Sequence, residues 1–184
     1  MAFIEDPKTG RKATVSGSFR QNVSAKSNPR DFYISRDLGK VYNFVSSFDA
    51  TTGAILISLE NDSATDDLYI GGIIGSCLTT CSFDIFFTES GDTPAGTTIA
   101  GVNLNATSPN TADVKAFGNA AVTGISNTTT SKALTIKAEP YRDAEYDFGD
   151  SLILGRGDGI NVALTGNGTV DVTIRCHWED PTQK

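Results

Sequence analysis

The chain has 184 residues, a length that suits one domain with a substantial core and is short for two. Apolar residues make up 39% of the sequence, and Gly, Ser, Thr, Asn and Asp are abundant, which is typical of many strands joined by polar turns. No apolar stretch reaches the roughly 18 residues of a membrane-spanning helix, and the first ten residues lack the apolar run of a signal peptide. We therefore expect a soluble protein that is made in the cytosol and has no membrane partner.

The net charge of −7 is distributed unevenly along the chain. Residues 1–40 carry eight Lys/Arg against four acids, a net charge of +4, and the remainder has a net charge of −11. The basic leader is either a solvated tail or an arm that docks on an acidic partner surface while the acidic body faces water. Nucleic acid is not expected as a partner, because the basic residues are scattered and lack a DNA- or RNA-reading motif. The candidate docking residues are Lys8, Arg11, Lys12, Arg20, Lys26 and Arg30.

The leader, residues 1–38, is predicted to be an extended arm with one or two strands, because short alternating pieces such as Ala13-Thr14-Val15 are mixed with turn formers. From residue 39 to 184 the pattern predicts a single β-domain. Its first strands are "KVYNFVSSF" and "GAILISLEN". "DLYIGGIIGS" and "SFDIFFTE" follow, and their short connection "CLTT" predicts a hairpin.

Residues 91–131 form the least patterned part of the chain, a long polar segment rich in Gly, Thr, Asn and Ala. A loop of this length within a compact domain is usually functional or contains further structure. We predict a short strand at Val102-Asn103-Leu104 and a helical turn from Ala112 to Phe117.

Regular alternation returns near the C-terminus in four predicted strands, "KALTIKAEP", "SLIL", "GINVALT" and "TVDVTIRCHW". Eight to ten strands of five to nine residues, without a long amphipathic helix, indicate a β-sandwich or a barrel. The fold class is therefore predicted to be all-β, a single-domain antiparallel β-sandwich with an extended N-terminal arm, and a jelly roll is the favoured topology.

A metal site at the last strand is disfavoured by the alternation of side chains. Cys176 and Trp178 share the inward-facing parity of the apolar residues, and His177 is predicted to point to the surface. Cys77 and Cys81 flank a predicted turn within disulfide reach, but an odd number of cysteines and a reducing compartment favour free, buried thiols. We predict no metal and no cofactor.

Catalytic motifs are also lacking. No G-x-S-x-G, H-E-x-x-H or P-loop sequence occurs, and Asp66-Asp67, Asp147 and Asp150 lie where carboxylates commonly cap turns. A glycosidase pair remains open, because its two carboxylates need not be close in sequence. The tripeptide Arg156-Gly157-Asp158 is interpreted as a structural turn between strands rather than an adhesion signal. We therefore expect a protein that is not an enzyme.

Two segments resemble head decoration (cement) proteins of tailed bacteriophages: "TPAGTTIAGVNLNATSPNTADVKAFGN" and "FGDSLILGRGDGINVALTGNGTVDVTIRCHWED". The shared order is a polar leader, a strand start of the form G-K-x-Y-x-F at residues 39–44, a T-P-A-G-T turn with an N-L-N piece, and a closing strand pair around a Gly-rich turn. The resemblance covers residues 39–180 and is one of pattern rather than of catalytic signatures. Residues 91–131 depart from it and could be an exposed loop, a subunit contact or a lattice contact.

The resemblance implies a non-enzymatic virion protein of jelly-roll type that binds the major capsid protein on the capsid exterior and stabilises the shell, as a symmetric oligomer, with a trimer favoured. An alternative is a receptor- or glycan-binding module of a tail fibre, suggested by the polar Asn/Thr-rich loops and five tyrosines. An acid-pair hydrolase ranks last.

Overall fold

The computed structural model describes residues 2–5, 12–15, 38–128 and 130–179. The chain divides into two compact units, residues 1–30 and 31–184. In the first unit, strands β1 (Ala2–Glu5) and β2 (Lys12–Val15) pair antiparallel, with Glu5 opposite Lys12. The alternating segment that starts at Ala13 therefore lies in a strand, as the sequence predicts.

The second unit contains two five-stranded antiparallel sheets that pack face to face. Sheet I has the strand order β10-β5-β12-β3-β7, and sheet II has the order β8-β4-β11-β6-β9. The prediction of an all-β antiparallel sandwich is confirmed, and no α-helix occurs in the described ranges. The strands are β3 (Val41–Ala50), β4 (Ile55–Asn61), β5 (Asp67–Cys77), β6 (Cys81–Phe87), β7 (Val102–Asn103), β8 (Val114–Phe117), β9 (Lys132–Ala138), β10 (Ala144–Leu154), β11 (Gly159–Thr165) and β12 (Gly168–Glu179).

Successive strands alternate between the two sheets, except for β8 and β9, which both lie in sheet II. The predicted hairpin of β5 with β6 is therefore wrong. Both edges of β5 are already occupied by β10 and β12, so β6 cannot pair with it and instead lies between β11 and β9. The short connection from Cys77 to Cys81 crosses from one sheet to the other.

This crossing is closed by a disulfide between Cys77 and Cys81, whose Cα atoms are 6.8 Å apart. The prediction that these cysteines are free thiols is wrong. Both side chains turn into the core at the point where the chain crosses between the sheets, and they are 3% and 6% exposed. Cys176 is a free and fully buried thiol whose pKa is raised by burial.

The core lies between the sheets and is built from the inward residues of alternating positions. Phe83 of sheet II reaches across to Gly75 of sheet I, where an added Cβ atom would lie 2.4 Å from the phenyl ring. A glycine is thus required at position 75. The bulkiest fully buried side chains are Tyr42, Phe44, Leu56, Ile57, Leu59, Leu68, Tyr69, Ile70, Ile73, Phe83 and Ile85.

Strand β12 obeys the predicted alternation, but one of its side chains is buried against expectation. Cys176 and Trp178 are in the core, 0% and 4% exposed, as predicted. His177 was predicted at the surface and is only 2% exposed. It does leave the sheet on the outer face, but it is paired directly with Tyr69 of β5, and the two rings stack with centroids 5.1 Å apart.

The segment 91–131 adds a short strand to each sheet instead of forming an open loop, β7 to sheet I and β8 to sheet II. The predicted strand at Val102 is present, and the predicted helical turn near residue 117 is wrong. Residues 114–117 form β8, because β4 offers them an unpaired edge: Val114 lies opposite Asn61, and Phe117 lies opposite Ser58. Isolated bridges then connect residues 95–98 to residues 117–123.

The segment 91–131 also completes a small apolar cluster on the outer face of sheet II. Val122 packs with Ile55, Phe86 and Ala163, and these four side chains are 5–8% exposed. Ala163 lies between the inward residues Val162 and Leu164, so the cluster faces away from the main core. The segment thereby covers sheet surface that would otherwise contact water.

Counting thiols tests the disulfide directly. Unfolding the unreduced protein in denaturant should expose one reactive thiol, that of Cys176, and prior reduction should raise the count to three. Three thiols without reduction would contradict the pairing.

The double substitution Cys77→Ser with Cys81→Ser should lower the free energy of unfolding by about 2 kcal/mol, since a ring of about five residues limits the unfolded chain only modestly.

Buried Asn61 provides a second test, since it is 0% exposed and its amide joins three parts of the chain. Asn61→Ala should lower the free energy of unfolding by about 2–4 kcal/mol, measured in urea, because buried hydrogen-bond partners are left unsatisfied. The matched control is Asn127→Ala, whose Oδ1 atom accepts no hydrogen bond from the residues that the structure describes. Equal losses for the two variants would contradict the assigned role of Asn61.

Candidate functional site

A polar recess of about 370 Å³ opens at one end of the sandwich. It lies where β3 begins and β12 ends, between the connection from β4 to β5 and the connection from β7 to β8. Both connections are rich in Asn, Ser, Thr and Asp. The recess is lined by Lys40, Tyr42, Ser63, Thr65, Asp66, Pro109, Asn110, Thr111, Asp113 and Trp178.

The floor of the recess is formed by two aromatic side chains. Tyr42 and Trp178 meet edge to face with ring centroids 5.2 Å apart, and they are 2% and 4% exposed. Burial raises the pKa of Tyr42, with smaller contributions from the negative charge of Asp113 and from Cys176, against a hydrogen bond with Asn103. The Tyr42 hydroxyl therefore stays protonated at neutral pH.

One wall is held in place by Asn61. Its Nδ2 atom donates to the carbonyl oxygens of Asp66 and Leu154, each at 3.0 Å. Its Oδ1 atom accepts from the Ser63 amide at 3.1 Å and from Trp178 Nε1 at 3.3 Å. One buried amide thus ties the β4–β5 connection to the end of β10 and to the floor of the recess.

The same wall carries an ion pair between Lys40 and Asp66, whose side chains are 36% and 16% exposed. Asp66 also accepts a hydrogen bond from the hydroxyl of Thr65 at 3.0 Å, and its backbone amide donates to Ser63 Oγ at 3.1 Å. The carboxylate is therefore fixed in position, and Lys40 is held beside it. With Asp113 among the lining residues, the recess contains one cation and two anions.

The opposite wall is built around Gly39. Asn103 Nδ2 donates to the Gly39 carbonyl oxygen at 2.9 Å, and Asn110 Nδ2 donates to the Leu38 carbonyl oxygen at 2.9 Å. Gly39 has a φ of +60°, and an added Cβ atom there would lie 2.2 Å from Ser108 Oγ. The chain thus approaches the β7–β8 connection at a position that only glycine fits.

The recess combines opposite charges, hydrogen-bonding groups and an aromatic floor. A cation and a carboxylate that neutralise one another lie next to hydroxyl and amide groups, over an aromatic floor, and hydrogen bonds hold both walls. Such a preformed concave site with a few convergent polar groups is typical of small-molecule recognition. Within the described ranges, no group of three or more His, Cys, Asp or Glu is placed to hold a metal ion, and no helix is long and apolar enough to span a membrane.

The residues predicted for the docking arm are mostly beyond what the structure describes. Lys12 is the first residue of β2, opposite Glu5. Outside the described residues are Lys8, Arg11, Arg20, Lys26 and Arg30. The docking role of all six therefore stays a prediction.

The Arg156-Gly157-Asp158 tripeptide forms the turn between β10 and β11, as predicted. Gly157 has a φ of +79°, and Asp158 Oδ2 accepts from the Gly155 amide at 3.1 Å. The amide of Gly157 donates to the carbonyl oxygen of Asn61 at 2.9 Å. The turn is thus bound to the residue that also supports the recess.

Sequence reasoning missed the recess residues Lys40, Asp66, Asn110 and Asp113. The available signal was the Asn-, Ser- and Thr-rich composition of "NDSATDD" and "NATSPNTAD", which indicates turns. Composition does not predict that the two turns lie side by side. Their positions depend on which sheet each flanking strand joins.

No protein-family model matches the sequence, and neither a curated protein nor a solved structure matches it.

The contact of Gly39 with Ser108 can be tested by a double-mutant cycle. Gly39→Ala should lower the free energy of unfolding by more than the approximately 1 kcal/mol expected from a left-handed backbone alone, because its methyl group meets Ser108. Adding Ser108→Gly should recover part of that loss, measured by urea denaturation. Strictly additive effects of the two substitutions would contradict the close approach.

Proposed function

We propose that this chain is a non-enzymatic virion structural protein that binds the outer surface of a phage capsid and stabilises it.

We also infer that its eight principal strands form a jelly roll. The first supporting observation is the strand order, which is β10-β5-β12-β3 in sheet I and β4-β11-β6-β9 in sheet II. The second is that consecutive strands among these eight lie in opposite sheets, except that β6 and β9 both lie in sheet II.

The observation that carries the function is the separation of charge between leader and body. Residues 38–179 contain seventeen acids against seven Lys/Arg, a net charge of −10, whereas residues 1–37 contain seven Lys/Arg against four acids, a net charge of +3. An acidic body is suited to face water, while a basic leader is attracted to an acidic surface. This arrangement supports attachment of the body to the major capsid protein through the leader.

Further support comes from the resemblance of residues 39–180 to decoration proteins. It implies symmetric positions on the capsid lattice, assembly as a homo-oligomer with a trimer favoured, and a location on the capsid exterior.

Co-sedimentation with undecorated capsids, assembled from the major capsid protein of the genome that encodes this chain, tests the proposal. The full chain should pellet with the capsids, and residues 38–184 alone should bind at least about tenfold more weakly, because several charge contacts are lost. Raising the ionic strength from 50 to 300 mM should weaken binding of the full chain much more than binding of the truncated chain.

The matched control is Arg142→Gln, which removes a cation from the body where the side chain is 79% exposed. It should leave capsid binding unchanged. The proposal fails if the full chain does not pellet at saturating concentration. The anchoring role of the leader fails if truncation and the control substitution behave alike while circular dichroism shows both variants folded.

A second candidate function is a receptor- or glycan-binding module of a tail fibre, and the polar recess is the observation that favours it. Immunogold labelling of assembled particles separates the two candidates. Labelling on the head supports the decoration protein, and labelling on the tail supports the binding module.

A further inference from the structure

The recess has the volume of a small-molecule site and is open to solvent on one side. Its volume of about 370 Å³ lies at the lower end of the range of about 300–1,000 Å³ that is usual for such sites. A ligand of one or two sugar rings fits this range, and a long chain could contact it only through one end. The site is also preformed, because hydrogen bonds within each wall hold the polar groups before a ligand arrives.

The pairing of Lys40 with Asp66 defines what the ligand must offer. Lys40 Nζ only donates hydrogen bonds, and an ionised Asp66 carboxylate only accepts them. A hydroxyl group does both, so two neighbouring hydroxyls of one ligand can accept from Lys40 and donate to Asp66 at the same time. A ligand with donors alone can contact only Asp66, and a ligand with acceptors alone can contact only Lys40, so each makes fewer hydrogen bonds in the recess than a diol does.

The charge of the recess restricts the ligand further. Lys40 is balanced by Asp66, and Asp113 adds a second negative charge in a body whose described residues 38–179 have a net charge of −10. A carboxylated sugar would bring like charges together and lose affinity. Neutral sugars do not meet this barrier.

We propose that the recess binds one neutral saccharide unit, through a vicinal diol that bridges Lys40 and Asp66, and that Asp113 disfavours anionic sugars. This assignment rests on the second candidate function and names its ligand class. Tyr42 and Trp178 are 2% and 4% exposed, so they support the sugar from below and do not offer an open stacking face. Affinity for a single sugar should therefore be weak, with a Kd of about 1–10 mM, and an oligomer would strengthen binding to a surface by multivalency.

The chain contains a single tryptophan, and it lies in the floor of the recess, so its indole N–H signal reports binding in NMR spectra of the full chain. Titration with the methyl glycosides of glucose, galactose and mannose should shift this signal saturably for at least one of them. Glucuronic acid should bind at least about fivefold more weakly, because its carboxylate approaches Asp113.

Four variants test the assignment by residue. Lys40→Met and Asp66→Asn should each weaken binding of the neutral sugar at least tenfold, and Thr111→Val, which disturbs no ion pair, should weaken it about threefold. Asp113→Asn should keep neutral-sugar binding and reduce the discrimination against glucuronic acid. The matched control, Lys137→Met on β9, should bind like the unaltered chain, and dispersed amide spectra establish that each variant is folded.

The proposal is overturned if none of the three glycosides shifts the indole signal at 50 mM, or if Lys40→Met and Lys137→Met bind equally well. These outcomes are distinct from failure of the tail-fibre function itself, which particle labelling tests independently. Tail labelling without sugar binding would reject the saccharide site alone, and sugar binding with head labelling would assign the site to a capsid-bound protein.

Discussion

The hydrogen bonds of the buried Asn61 amide are the constraint on which one end of this molecule depends. Asn61 is the last residue of β4, and its side chain bonds the start of β5, the end of β10 and the indole of Trp178. Its backbone also pairs with the turn at residues 157–158. Because a primary amide has two donors and two acceptor lone pairs, all of its capacity is used. Three parts of the chain that are distant in sequence, residues 61–66, residues 154–158 and Trp178, are thereby held in one geometry beside the recess.

The alternation of strands between sheets explains why so much depends on connections. Each crossing joins residues that pair with strands far away in sequence, so the edges of β5 are occupied by β10 and β12 instead of by its neighbour β6. The crossings then have to be stabilised locally. The disulfide between Cys77 and Cys81 stabilises the crossing from β5 to β6. The β7–β8 connection is stabilised by its close contact with Gly39, where a Cβ atom would collide with Ser108.

The charge asymmetry and the recess involve different parts of the chain. Residues 1–37 have a net charge of +3, whereas the recess lies in the acidic residues 38–179. The proposed attachment depends on the charge of the leader, and the proposed sugar site depends on the walls of the recess. The two proposals can therefore be tested separately.

The sequence by itself determined the class of fold and the inward or outward direction of most strand residues. Alternation with a period of two is a local property of an extended chain, and it correctly assigned Cys176 and Trp178 to the core. It also assigned His177 to the outer face of its sheet. Local turn chemistry likewise identified the Arg156-Gly157-Asp158 turn.

Only the tertiary structure decided which strands pair, and the remaining errors follow from that. His177 stacks on Tyr69 because β12 pairs with β5, residues 114–117 form a strand because β4 has a free edge, and Cys77 meets Cys81 where the chain crosses between sheets. Lys40 and Asp66 are 26 positions apart, and their ion pair exists only because β3 and β5 begin at the same end of sheet I. Long-range pairing depends on the free energy of the whole packed chain, which no short window of sequence contains.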